Sequence, residues 1–478
     1  MIKDRTPIKT RRSAPAARAL ALVTALAVAI AGAGPAASPA RAQDAALRGM
    51  PVIRDTEMEQ LLRDYAQPIL RAAGLAQQNV RVVVLGDRSF NAFVMDGRHI
   101  FINAGALFDA KTPNEIIGVF AHETGHLAGG HLSRLREQLA TAQTASIIAM
   151  LASVGAMVAG ARAGGSIGNV GAAAIMAPQS AIQRSLLAYV RTQEDQADHA
   201  GVKFLNATGQ SPRGMVELFT RLTNEALFNS RYIDPYLQSH PLPAERVATL
   251  EQIARTSPYW DRKDSAELQL RHDMMRAKLA GFMDRSDTVA RRYPLGDHSL
   301  PARYARAISA YRHADLRNAL TLMDELIQTQ PNNPYFHELK GQALLEGGRP
   351  ADAVAPLRNA VQLSNRAPLI EIMLAQALIA TNNKAVAEEA AELLRFAISR
   401  EPDATDAYTQ LAMAYGRKGD LANADLASAQ AAFTRGDLIT ARQLASRAKT
   451  RLPVGSPAWV RADDIVNVKS PNARNTSN

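Results

Sequence analysis

Cysteine is absent from all 478 residues. That absence removes disulfide frameworks, thiol nucleophiles, lipidation on cysteine and any zinc site built on sulfur. A metal in this chain has to be held by His, Asp and Glu. Aromatic residues make up only 5%, and the abundance of alanine points to helix rather than sheet. Most of the chain also lacks an excess of one charge. The formal net charge is +10, but residues 1–42 hold seven Lys or Arg against one Asp, leaving 48 positive and 44 negative groups in the remainder. A body so balanced has no electrostatic footprint for nucleic acid, and none is expected as a partner. Long apolar runs are scarce: Leu20–Ala33 covers about 14 residues, short of the ~20 that span a bilayer.

That run follows the basic residues Lys3, Arg5, Lys9, Arg11, Arg12 and Arg18, and small residues lead from it to Ala40-Arg41-Ala42. Basic region, apolar region and A-x-A site are the order of a cleavable export signal, expected over 1–42 and implying the periplasm. The body behind it is long enough for two or three domains. Apolar residues at helical spacing predict a helix over Ile53–Ala73, and the β-branched run Val80–Leu85 predicts a buried strand. Phe90–Met95 and His99–Asn103 read as two strands joined at Asp96-Gly97, a strong hairpin signal. A helix then begins at Thr112-Pro113-Asn114-Glu115, with Thr as cap, Pro in the first turn and Glu closing a capping box. It stops at Gly129-Gly130.

Ala145–Ala177 carries one charge, Arg162, among many Gly and Ala. It is expected to be an apolar flap or membrane-facing segment. Ile182–Leu205 is a charged helix. From about 300 the chain repeats: Ala319, Ala353 and Ala390 stand 34 and 37 residues apart, Ala424 is 34 further on, and Ala441 follows. Leu326, Ala360 and Ala397 lie seven residues after the first three. A period near 34 with small residues at such offsets resembles degenerate tetratricopeptide repeats.

The chemistry concentrates in His122-Glu123-Thr124-Gly125-His126. Two His at i and i+4 on one helical face can reach one zinc ion, and Glu123 borders the same site, where it can take a proton from metal-activated water. A catalytic zinc needs a third protein ligand and an open position. The metzincin arrangement would place a third His at position 132, which is Leu132; His131 is one residue off and lies past the glycine pair. The better candidate is Glu194 in Glu194-Asp195-Gln196-Ala197-Asp198. Asp198 lies one turn on and can accept a hydrogen bond from the far nitrogen of a ligating His. Ala197 is small where two helices have to approach.

His122–His126, His131, Glu194-x-x-Ala197-Asp198 and Ser239-His240-Pro241 with Arg246 resemble the HtpX/CAAX-protease class of zinc metallopeptidases. The export signal and the repeats narrow the resemblance to its BepA-like periplasmic branch. It implies a mainly α chain, with a gluzincin-like peptidase domain and small β-sheet followed by an α-solenoid of tetratricopeptide-like repeats. It further implies one zinc per chain on His122, His126 and Glu194, Glu123 as general base, and His240 and Arg246 near the active site. His240 would either fill the open zinc position as a plug or steady the oxyanion. Phe90–Met95 would be the edge strand on which an extended substrate adds. Expected boundaries are 43–265 for the peptidase, 266–299 for a linker, 300–453 for the repeats and 454–478 for a flexible tail. Unfolded or misassembled proteins are the implied substrates. Outer-membrane β-barrel proteins and their assembly machinery are the implied partners, engaged through the repeats, with peripheral membrane contact through the apolar segment. The competing reading is a chaperone or assembly adaptor whose peptidase site is normally plugged.

Overall fold

The computed structural model describes residues 50–141, 169–228, 235–313 and 315–468. The expected export signal, and residues 145–168 of the apolar segment, lie outside them. No helix among the described residues is long and apolar enough to cross a membrane.

The chain opens with β1 (Val52–Ile53) and helix α1 (Thr56–Ala72), where Asp55 caps by accepting from the Met58 N–H at 2.9 Å. The helix expected from Ile53 therefore starts three residues later, because two strand residues are too few to show a period. Strands β2 (Arg81–Leu85), β3 (Ala92–Val94) and β4 (His99–Asn103) complete a sheet of order β1-β2-β4-β3. β2 runs parallel to β4, in register from Arg81↔His99 to Leu85↔Asn103, whereas β3 returns antiparallel on β4 and forms one edge. The β3–β4 turn works as its sequence suggests: Gly97 takes φ +76°, and Asp96 Oδ1 accepts from the N–H groups of Arg98 and His99 at 3.0 and 2.9 Å.

Behind the sheet lie α2 (Ala104–Asp109) and the central helix α3 (Pro113–Gly129). Thr112 Oγ1 accepts from the Glu115 N–H at 3.4 Å, while the Glu115 carboxylate takes the Lys111 N–H at 3.0 Å and Arg221 at 2.8 Å. The capping box is thus half made, and the glutamate is spent on a buried ion pair. α3 packs on β3, α1, α4 (Asn169–Ala207) and α5 (Arg213–Phe228). Glycines set these approaches: a Cβ at Gly118 would lie 2.6 Å from Met215 Cβ, and one at Gly125 2.8 Å from Ala197 O. A short helix α6 (Pro235–Ser239) and α7 (Ala244–Ala254) close the N-terminal part.

Residues 266–299, expected as a linker, fold instead into α8 (Ala266–Met283) and α9 (Ser286–Arg292). Met275 and Leu279 of α8 enter the N-terminal core, and Met274 and Ala277 enter the core of the first repeat. A helix apolar on both sides needs a neighbour on each. The joint is also ionic: buried Lys278 pairs with Asp55 at 2.6 Å and Glu57 at 3.1 Å, and the Tyr304 hydroxyl donates to Glu57 at 2.9 Å.

Antiparallel helices then follow from α10 (Leu300–Arg312) through α11 (Leu316–Thr329), α12 (Pro334–Glu346), α13 (Pro350–Leu363), α14 (Pro368–Ala380) and α15 (Ala387–Arg400) to α16 (Thr405–Lys418), α17 (Leu421–Arg435) and α18 (Leu438–Lys449). Each packs on the next. Ala319, Ala353, Ala390 and Ala441 are fully buried, as are Leu326, Ala360 and Ala397, and Ala424 is half-buried. The tail expected from 454 is helical in part. Ser456 caps α19 (Pro457–Asn467), whose Ala462 and Ile465 cover the open face of α18; residues 469–478 lie outside the described set.

Candidate metal centre

α3 presents His122 and His126 on one face, and α4 crosses it so closely that Ala197 fits only against a glycine. This crossing brings Glu194 and Asp198 up to the two histidines. His240 arrives from a third direction, just after α6, held by its own N–H to Tyr236 O at 2.7 Å and followed by the rigid Pro241-Leu242-Pro243. Arg246 reaches in from the first turn of α7. His122, Glu123, Glu194, Asp198 and His240 are all buried.

Donor atoms of His122, His126, Glu194 and His240 lie within 4.8 Å of one another. The separations are tighter than that bound. His122 Nε2 stands 3.0 Å from His126 Nε2, 3.4 Å from Glu194 Oε2 and 3.4 Å from His240 Nδ1. Glu194 lies 3.5 Å from His126 Nε2 and 3.2 Å from His240 Nδ1. Donors sharing a tetrahedral ion through bonds of about 2.0–2.1 Å stand about 3.3–3.4 Å apart. The separations lie close to that length, with Oε2 of Glu194 facing His122 and Oε1 facing His126, and three imidazoles with one carboxylate are suitable donors for a divalent metal.

Around these four, the other groups are arranged to hold them. His122 Nδ1 lies 2.9 Å from Asp198 Oδ1, and Arg246 grips Asp198 through Nε at 2.7 Å and Nη2 at 2.9 Å. Arg246 Nη1 also meets Glu194 Oε2 at 2.9 Å and donates to Pro241 O at 2.9 Å. Phe219 stands edge-on to His122, with centroids 5.6 Å apart, and backs the Arg246 guanidinium. Tyr236 packs against the His240 ring. Both carboxylate oxygens of Glu123 are buried without a hydrogen-bond partner, the nearer being 3.5 Å from His240 Nε2.

The electrostatics follow from this crowding. Burial opposes a charge on His122, yet Asp198 and Glu194 raise it to about 9 when no ion is bound. Burial and the neighbouring His122 push His126 well below the usual histidine range. Glu123 is pushed up by burial. Burial works against the Glu194 carboxylate, but His240 and His122 hold it well below its ordinary value. A metal would take over that compensating role.

The structure brings together every residue singled out from the sequence. Arg246 stands behind the carboxylates, not beside Glu123. Sequence reasoning left three neighbours unassigned: Phe219, Tyr236, and His131, whose Nδ1 is 2.9 Å from His126 Nδ1. Only His131 carried a signal, its position directly after Gly129-Gly130.

Residues 53–254 match the description Peptidase family M48, and residues 309–431 match Psidin, N-terminal TPR repeats region. A putative beta-barrel assembly-enhancing protease of Vibrio cholerae is 27% identical over 60% of this chain, and the chain spans 58% of that protein's length. A beta-barrel assembly-enhancing protease of Yersinia pestis is 23% identical over 75% of this chain and 73% of its own. Metalloprotease LoiP of Escherichia coli is 32% identical over 36% of this chain and 61% of its own. The chain therefore carries a Peptidase family M48 domain, a metallopeptidase domain, followed by a region of TPR-like helical repeats.

Proposed function

We propose that the protein is an exported zinc endopeptidase of the periplasm that acts on unfolded or misassembled proteins, outer-membrane β-barrel proteins and their assembly machinery in particular. The carrying observation is the close-set group of His122, His126, Glu194 and His240 beside the Glu123 carboxylate, whose oxygens have no hydrogen-bond partner. Neutral imidazole and carboxylate donors at these separations suit zinc, with His122, His126 and Glu194 as its ligands. When bound, zinc lowers the pKa of a water molecule to about 7 and polarises the scissile carbonyl. The printed names of the Vibrio and Yersinia relatives support the β-barrel substrates, and the basic and apolar order of residues 1–42 supports export.

Each residue then has a task. Glu123, buried and raised in pKa, takes the proton of the attacking water and delivers it to the leaving amine. Asp198 accepts the Nδ1–H of His122, which turns His122 Nε2 into the cluster. Arg246 fixes Asp198 and Glu194 and is a positioning residue. The edge strand β3 offers backbone groups on which an extended substrate pairs. The repeats hold the protein partner.

His240 would supply a fourth protein donor, and a centre with four protein ligands is closed in the manner of a structural site. Its Nδ1, 3.2 Å from Glu194 and 3.4 Å from His122, favours the plug over the oxyanion role. The resting protein is then a restrained peptidase, and this also accommodates the chaperone or adaptor reading. The test is hydrolysis of casein by wild type and His240→Ala, with zinc content measured on both. A plug predicts faster hydrolysis and self-cleavage with zinc retained. An oxyanion role predicts a fall of about 10²–10³, and an unchanged rate rejects both.

A further inference from the structure

We infer that His131 is a positioning residue for His126, its Nδ1 accepting the Nδ1–H of that ring and so turning Nε2 of His126 toward the metal. The inference rests on the ligand assignment proposed above.

Consider what His126 needs. To offer Nε2 as a lone pair, the ring must carry its proton on Nδ1, and that N–H must find an acceptor. For His122 the acceptor is Asp198 at 2.9 Å. For His126 the atom at that place is Nδ1 of His131, 2.9 Å away, with the rings edge-on at 82°. His131 then has to be neutral with its own proton on Nε2. The Gln196 side chain hydrogen-bonds the same ring. Gln196 lies between Glu194 and Asp198 on α4. One short stretch of that helix thus supplies a ligand, the acceptor for the first histidine and the anchor for the acceptor of the second.

The local backbone is built around the same contact. Gly130 takes φ +63° and caps α3, a new helical stretch begins directly at His131, and the His131 ring comes back to His126. A Cβ on Gly129 would lie 2.2 Å from His131 Nε2. Only glycine there leaves the ring its place, and His131 is 4% exposed.

The test is zinc affinity by chelator competition on the full chain, with the Co²⁺ d–d spectrum recorded alongside. His131→Ala should bind zinc about 10–100-fold more weakly and alter the Co²⁺ spectrum. His131→Asn, whose Oδ1 replaces the Nδ1 acceptor, should recover most of the affinity. Gly129→Ala, a helix-favouring change that displaces the ring, should mimic His131→Ala while thermal unfolding of the metal-free protein stays near wild type. If His131→Ala binds zinc within twofold of wild type while His126→Ala loses it, the inference is overturned and the ligand assignment stands. If His126→Ala also binds as wild type, the ligand assignment falls and the inference with it. Equal loss in His131→Ala and His131→Asn would likewise overturn the inference, because a lost acceptor would not be the cause.

Discussion

Gly125→Ala adds one methyl group where α3 and α4 touch. Its Cβ would meet Ala197 O at 2.8 Å and Ala197 Cα at 2.9 Å, both backbone atoms. Ordinary contact needs about 3.5 Å, so α4 has to retreat by about 0.6 Å. Glu194 rides on that helix, one turn before Ala197. Its edges to His122 and His126 are 3.4 and 3.5 Å, and the retreat lengthens them. A metal–ligand bond tolerates about ±0.2 Å, which is about 0.3 Å along a tetrahedral edge. The displacement is roughly twice that, so metal affinity should fall by at least about 10-fold. The fold should suffer less, since overpacking costs about 1–3 kcal/mol while alanine returns about 1 kcal/mol of helix propensity. Chelator competition for zinc and thermal unfolding of the metal-free protein separate the two effects. Wild-type affinity in Gly125→Ala would refute the idea that this crossing sets the spacing of the centre.

Two further predictions concern α4 and the joint between peptidase and repeats. Glu194→Ala should abolish zinc binding, whereas Asp198→Ala should weaken it about 10–100-fold; metal analysis showing wild-type zinc in Glu194→Ala would place the third ligand elsewhere. Burial pushes the Glu338 carboxyl up to about 8, with Lys278 opposing and Asp55 adding to the rise. Between its ordinary value and about 8 the folded chain holds a proton that the unfolded chain releases, so stability falls as pH rises through that window. Thermal unfolding from pH 6 to 9 should show this slope in wild type and a flatter one in Glu338→Gln; identical slopes would remove Glu338 as its source.

Much of this centre was legible because its key signals are local. Two histidines four apart share a helical face whatever surrounds them, and Thr112-Pro113 with Gly129-Gly130 marks where that helix starts and stops. Asp96-Gly97 fixed a hairpin for the same reason. The alanines of the repeats were visible because burial against a neighbouring helix recurs at one spacing. What escaped the sequence depends on distant partners. β1 is two residues long, and its strand character comes only from pairing with β2. The parallel pairing of β2 with β4 leaves no trace in either strand. α8 reads as a connection because its apolar residues point two ways, Met275 and Leu279 into one core and Met274 and Ala277 into the next. Glu115 fits a capping box by pattern, but Arg221 from α5 recruits it. The region after 454 looked like a tail until α18 offered a face for Ala462 and Ile465 to cover.

Glu123 is the proposed base of a metallopeptidase centre built on His122, His126 and Glu194. The most direct test of that role compares casein hydrolysis and zinc content in wild type and Glu123→Gln, each with and without His240→Ala. Gln keeps the size of the side chain and leaves the ligands intact. Hydrolysis should therefore fall by about 10²–10⁴ while zinc stays near one per chain. Proteolysis that persists at the parental rate in Glu123→Gln would contradict the claim.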